Sequence, residues 1–154
     1  MDTSKKQSGA NSSSPREPLV FFTDAMLGRR VIPGALRAAG ERVEAHDENF
    51  KPGTPDAEWL LEVGKRGWVV LTKDKRIRYR PVETAALWHA GVRAFVLVAR
   101  GDLSGAEIGS IFVKALPAIR RFCAEVQPPF IAHVFKDSEV KLVRPGTVHG
   151  RRQN

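Results

Sequence analysis

The stretch that decides the fold is "GWVVLTKDKRIRYR", residues Gly67 to Arg80. Trp68, Val69, Val70 and Leu71 form an apolar run without alternation, the pattern of a strand buried on both faces. Thr72 closes the run. A single acid, Asp74, then stands among Lys73, Lys75, Arg76, Arg78 and Arg80. One cation would suffice as its salt partner. A dense cluster around one carboxylate at a strand end calls for a further reason, and a polyanionic ligand supplies one.

Outward from this strand the chain alternates. On the N-terminal side, "LVFFT" (19–23) reads as a first strand. "RRVIPGALRAAG" follows with helical spacing at Val31, Ile32 and Leu36 and stops at Gly40. "RVEAH" is a short second strand. "TPDAEWLLEVGKRG" predicts a helix with Thr54 at the N-cap, Pro55 at its first position and an apolar face at Trp59, Leu60 and Val63. On the C-terminal side, "PVETAALWHAG" is a short helix ending at Gly91, and "RAFVLVA" is a fourth strand. A long helix capped by Ser104 follows, with a break or kink expected near Pro117. "FIAHVF" is a fifth strand and "EVKLV" a short sixth, antiparallel to it. Uniformly apolar strands alternating with helices predict a three-layer α/β/α sandwich around a central, mainly parallel sheet of about five strands.

A chain of 154 residues suits one such domain, expected over 19–143, with a disordered N-terminal tail (1–18) and a basic flexible C-terminal tail (144–154). The lone Cys123 excludes an internal disulfide and reads as a buried helical residue. The Ser-rich start lacks the apolar core of a signal peptide, and no segment has the length and apolarity of a membrane span. A cytoplasmic protein is expected. The formal charge is +8; part of it lies in the tails, and part is concentrated between Lys65 and Arg80. Among the tryptophans, Trp59, Trp68 and Trp88 read as core or core-edge residues.

In an open parallel sheet, ligands bind beyond the carboxyl ends of the strands. Asp24 follows the first strand and Asp74 the third, while Asp56 sits in the first turn of the helix leading into the third strand. Three acids from three segments are therefore expected at one rim, with Glu83 and Asp102 as weaker additions. Gathered carboxylates repel unless a cation intervenes, and all-oxygen ligands favour Mg²⁺ or Mn²⁺. Such an ion activates water and neutralises phosphoryl charge. Each acid also has a purely structural role open to it: Asp24 and Asp74 as strand stops or helix caps, Asp56 as a first-turn acid favoured by the helix dipole.

The layout "FFTDAMLGRRVIPGALRAAGERVEAH…TPDAEWLLEVGKRGWVVLTKDKRIR" resembles the PIN-like domain, in particular the VapC-type toxins of type II toxin–antitoxin modules. The resemblance implies a Mg²⁺- or Mn²⁺-dependent endoribonuclease, an RNA substrate, a cognate protein antitoxin and, as is frequent in the family, a homodimer. It implies Asp24, Asp56 and Asp74 as catalytic, metal-binding acids. Thr72, Lys73, Lys75, Arg76, Arg78 and Arg80 are then the nucleic-acid-binding set. Many relatives carry one more acid shortly after the third; here "KRIRYR" has none. That departure keeps open a second reading, a PIN-like module that binds nucleic acid with weakened cleavage. A third, a receiver-type phosphoacceptor domain, fits the acids after strands one and three and Lys136 after strand five. It lacks the paired acids that receivers carry after strand one.

Overall fold

A computed structural model describes residues 18–144, 147–148 and 151–152. The strands are β1 (Val20–Thr23), β2 (Arg42–Ala45), β3 (Val69–Thr72), β4 (Arg93–Val98), β5 (Phe130–Phe135) and β6 (Val140–Arg144). They form one sheet in the order β2-β1-β3-β4-β5-β6, parallel through β5, with β6 antiparallel at the edge. The helices are α1 (Val31–Ala38), α2 (His46–Asn49), α3 (Asp56–Lys65), α4 (Pro81–Ala90) and α5 (Gly105–Glu125). The expected sandwich is thus present. Of the expected tail 1–18, residues 1–17 lie outside the described residues. Within 144–154, β7 (Thr147–Val148) pairs antiparallel with β8 (Arg151–Arg152).

Period-two alternation sorts each strand between two cores. Phe21, Val69, Leu71 and Phe95 face α1 and α5, where Leu36, Phe112 and Ile119 complete a buried cluster. Phe22, Val70, Ala94 and Val96 face α3 and α4, against Trp59, Leu60, Val63 and Leu87. Central strands buried on both faces explain why their sequences show no polar alternation. Each fully buried Leu or Phe contributes about 1.5–3 kcal/mol relative to an exposed position.

Three local expectations are corrected. The cap of α3 is Pro55, so the helix starts one residue later than expected. The Thr54 hydroxyl instead donates to the Lys51 carbonyl at 2.7 Å and closes the preceding turn. α5 runs unbroken through Pro117. Pro117 points outward, and Ala115, Leu116 and Ile119 are buried on the inner side. Continuous packing on both sides of the proline outweighs its one lost backbone hydrogen bond. Cys123 is half-buried at the edge of the α1/α5 core rather than fully enclosed, and burial pushes its thiol up to about 11, leaving it unreactive. Ser104 does cap α5: its Oγ accepts the Glu107 N–H at 3.1 Å, and Glu107 accepts the Ser104 N–H at 2.8 Å.

Among the described residues no helix is long and apolar enough to cross a membrane.

The α3–α4 contact depends on a glycine. A Cβ built at Gly64 would lie 2.4 Å from the Ala90 Cβ and 2.6 Å from the Ala90 carbonyl oxygen. Alanine ordinarily favours a helix over glycine by roughly 1 kcal/mol. Here the clash dominates, so Gly64→Ala is expected to cost about 2 kcal/mol in a urea unfolding curve. Unchanged or increased stability would show that the two helices are not packed this closely.

Candidate functional site

The sheet order reverses direction between β1 and β3. The β1–α1–β2 crossover covers one face; the crossovers through α3 and α4 cover the other. A crevice is left at the carboxyl edge between β1 and β3, the topological switch point where doubly wound sheets place ligands. Asp24 and Asp74 lie just beyond the ends of these two strands.

Both acids are buried, Asp24 at 5% exposure and Asp74 at 8%. The Asp24 N–H donates to the Leu71 carbonyl at 3.3 Å, continuing the β1–β3 ladder past the strand end. Its Oδ1 accepts the Met26 N–H at 3.0 Å and caps the 3₁₀ turn Ala25–Leu27. Its Oδ2 accepts a close hydrogen bond from the hydroxyl of fully buried Thr72. The same Thr72 oxygen accepts the Asp74 N–H at 2.9 Å. Thr72 therefore joins the two acids and has no surface from which to touch a nucleic acid. Asp74 caps a second 3₁₀ turn, Lys75–Arg78, by accepting the Arg76 N–H at 3.0 Å. The capping role of both acids is thus realised, at the same rim where the functional reading places them.

Asp56 occupies the first turn of α3, half-buried, and its Oδ1 accepts the Trp59 indole N–H at 2.9 Å. Burial pushes Asp24 up to about 6; the charges of Asp74 and Asp56 add to that rise, and the Thr72 and Met26 hydrogen bonds oppose it. The three acids thus share one electrostatic neighbourhood. Asp74 is held below the ordinary carboxylate range, chiefly by its hydrogen bonds from the Arg76 side chain. The two shifts have opposite consequences. Asp24 binds its proton more tightly folded than unfolded, so its contribution to stability falls as pH rises from about 4 to about 6. The Asp74 contribution is present above the ordinary carboxylate range and is lost on acidification below it.

Arg76 grips Asp74 with two side-chain donors, Nε to Oδ1 at 2.8 Å and Nη2 to Oδ2 at 2.9 Å. Glu83, in the first turn of α4, contributes to the field that favours the Arg76 charge. Asp102 is exposed in the loop after β4 and lines a small cavity of about 150 Å³ with Lys73 and Lys75. It belongs to the basic flank rather than to the acids. Lys75 also borders a larger groove of about 700 Å³ with Arg100, Phe135, Lys136 and Lys141. Arg78 meets His133 of β5, Nη1 to Nε2 at 3.0 Å; burial, with Arg78 and Lys75 nearby, lowers the His133 pKa and favours neutral imidazole. Arg80 is exposed at the start of α4.

Sequence reasoning missed the Thr72 bridge, the Trp59 anchor on Asp56 and the Arg76 clamp. The Trp59 and Arg76 contacts span three and two residues and had a signal in local spacing; the bridge spans 48 residues and had none. No set of three or more His, Cys, Asp or Glu side chains among the described residues is arranged to hold a metal ion. The donor chemistry nevertheless suits a hard cation: all oxygen, with Asp24 and Asp74 buried, and with the charges of Asp74 and Asp56 adding to the rise that burial causes in Asp24.

A doubly wound sheet with buried acids at its switch point defines the class, and the sequence comparison agrees. A family model described as "PIN like domain" matches residues 19–99, and the chain belongs to that family. It is also 30% identical over 127 residues to a protein named "Putative ribonuclease VapC45" from Mycobacterium tuberculosis (strain ATCC 25618 / H37Rv). That alignment covers 80% of this chain and 91% of the relative. No solved structure matches.

The matched strand ends Thr23 and Thr72 give an internal control. Thr23 faces the α1/α5 side, and its buried Oγ1 has no hydrogen-bond partner among the described residues. Thr72→Val is expected to cost about 2 kcal/mol or more, because it leaves buried polar groups of Asp24 and Asp74 unpaired. Thr23→Val removes an unpaired hydroxyl and is expected to be neutral or stabilising. Denaturant melts showing equal losses for the two variants would contradict the bridge.

Proposed function

We propose that this chain is a divalent-cation-dependent endoribonuclease and acts as the toxin of a type II toxin–antitoxin pair. The observation that carries the proposal is the buried Asp24–Thr72–Asp74 chain at the switch point, with Asp56 beside it and a basic flank leading away. The name of the M. tuberculosis relative supports the ribonuclease class. An antitoxin partner and an assembly as a homodimer follow from the same family reading.

Asp24, Asp56 and Asp74 would hold Mg²⁺ or Mn²⁺. When bound, the ion supplies charge neutralisation at the phosphoryl oxygens and a more acidic water. The protein's own groups do the positioning. Thr72 fixes the Asp24 carboxyl and the Asp74 backbone in one relative orientation. Trp59 fixes one oxygen of Asp56. Asp24, pushed up to about 6 by burial without a cation, would be held ionised by the bound ion and act as a ligand. Lys73, Lys75, Arg78 and Arg80 line the approach and would take the phosphates on either side of the scissile bond. Because water attacks and not the RNA 2′-hydroxyl, the products carry 5′-phosphate and 3′-hydroxyl ends.

One observation favours a second reading, a binding module without cleavage. Both oxygens of Asp74 are satisfied by Arg76, which serves a purely structural site equally well. The two readings separate in one assay. The protein is incubated with single-stranded and structured RNA in Mg²⁺, in Mn²⁺ and in EDTA, beside Asp24→Asn and Asp74→Asn. The nuclease reading predicts metal-dependent cleavage that falls by about a hundredfold or more in both variants. It also predicts RNA binding that persists in both. Salt-sensitive binding without cleavage under every condition would leave only the binding module.

A further inference from the structure

Arg76 sits among acids. Its side chain spans both oxygens of Asp74 at 2.8 and 2.9 Å, and the charges of Asp56 and Glu83 also favour its cationic form. With the backbone donors counted, each of the four carboxylate oxygens of Asp24 and Asp74 already accepts a hydrogen bond. A divalent ion such as Mg²⁺ needs oxygens at about 2.1 Å. A guanidinium is planar and wide and keeps its acceptors nearly 3 Å away. With Arg76 in place, the two oxygens of Asp74 are therefore spaced for an organic cation rather than for a metal ion.

The position of Arg76 is set locally. Asp74 caps the Lys75–Arg78 turn by accepting the Arg76 N–H, so the residue bearing the guanidinium cannot drift from the acid. The side chain itself is 55% exposed. It can leave Asp74 without disturbing either core.

We propose that Arg76 is the resident second cation of the carboxylate site, so that the site takes a single divalent ion and Arg76 excludes another. This rests on the reading of Asp24, Asp56 and Asp74 as a cation site. Part of the charge compensation that a second ion would provide is then covalently attached. An entering ion is accommodated by Asp24 and Asp56, and by Asp74 to the extent that Arg76 swings away.

The test is a Mn²⁺ titration of the full chain followed by electron paramagnetic resonance of the free ion. Wild type, Arg76→Gln, Arg76→Lys and the remote control Arg66→Gln are compared, with a urea melt to show that each is folded. Wild type and Arg66→Gln are expected to bind one Mn²⁺ per chain. Arg76→Gln is expected to bind about tenfold more tightly, or to take a second ion, as removal of a like charge at this range implies. Arg76→Lys keeps the charge and should keep the stoichiometry of one. Two ions in wild type, or Arg76→Gln matching wild type in both affinity and stoichiometry, would overturn the role of Arg76. If RNA cleavage in the same samples still depends on metal, the nuclease reading survives that result. Failure of every form to bind Mn²⁺ would overturn both.

Discussion

The hydroxyl of Thr72 holds two neighbouring parallel strands together at their charged rim. It donates to Asp24 after β1 and accepts from the backbone of Asp74 after β3. Removed from water without such a donor, the Asp24 carboxylate would cost several kcal/mol or take up a proton. The bridge exists because β1 and β3 are adjacent in register, with Phe22 opposite Val70 and Thr23 opposite Leu71. That register is in turn fixed by which residues of each strand belong to the two cores, since a slip by one would turn every side chain to the wrong face. Packing therefore decides where the acids meet.

The electrostatics then divide simply. Asp24 has hydrogen bonds but lies away from solvent among like charges, and its proton affinity rises. Asp74 has Arg76, and its proton affinity falls. Two carboxylates at the same sheet edge are thus driven apart in pKa by burial of one and pairing of the other. The basic flank beyond them carries the rest of the local charge. Lys75 borders both the small cavity with Asp102 and the larger groove along β4 and β5, where Arg100, Lys136 and Lys141 stand beside Asp137 and Glu139.

Much of the fold was legible in the sequence because uninterrupted apolar runs such as Val69–Leu71 fit little besides a strand covered on both faces, and Gly40 and Gly91 punctuate the helices that join them. The start of α3 was misplaced by one residue because Thr54 had two uses, cap and turn, and a sequence does not say which wins. Pro117 does not interrupt α5, because tertiary packing overrides the local penalty. The places of Asp24, Asp56 and Asp74 at strand and helix ends were legible from the sequence. Their partners were less so. Thr72 looked like part of the basic flank; only three-dimensional pairing across β1 and β3 turns it inward. Arg76 looked like one cation of a phosphate track, and the cap geometry of Asp74 gives it a partner inside the protein.

Central to the site is Asp24, a carboxyl whose charge is disfavoured by burial. The most direct measurement is a ¹³C NMR titration of the Asp24 side-chain carboxyl, first in EDTA and then in Mg²⁺. A midpoint of about 6 without metal, moving to lower pH when Mg²⁺ is added, is the predicted result. An ordinary aspartate midpoint in EDTA, or one unmoved by Mg²⁺, would contradict the claim that these acids form a cation site.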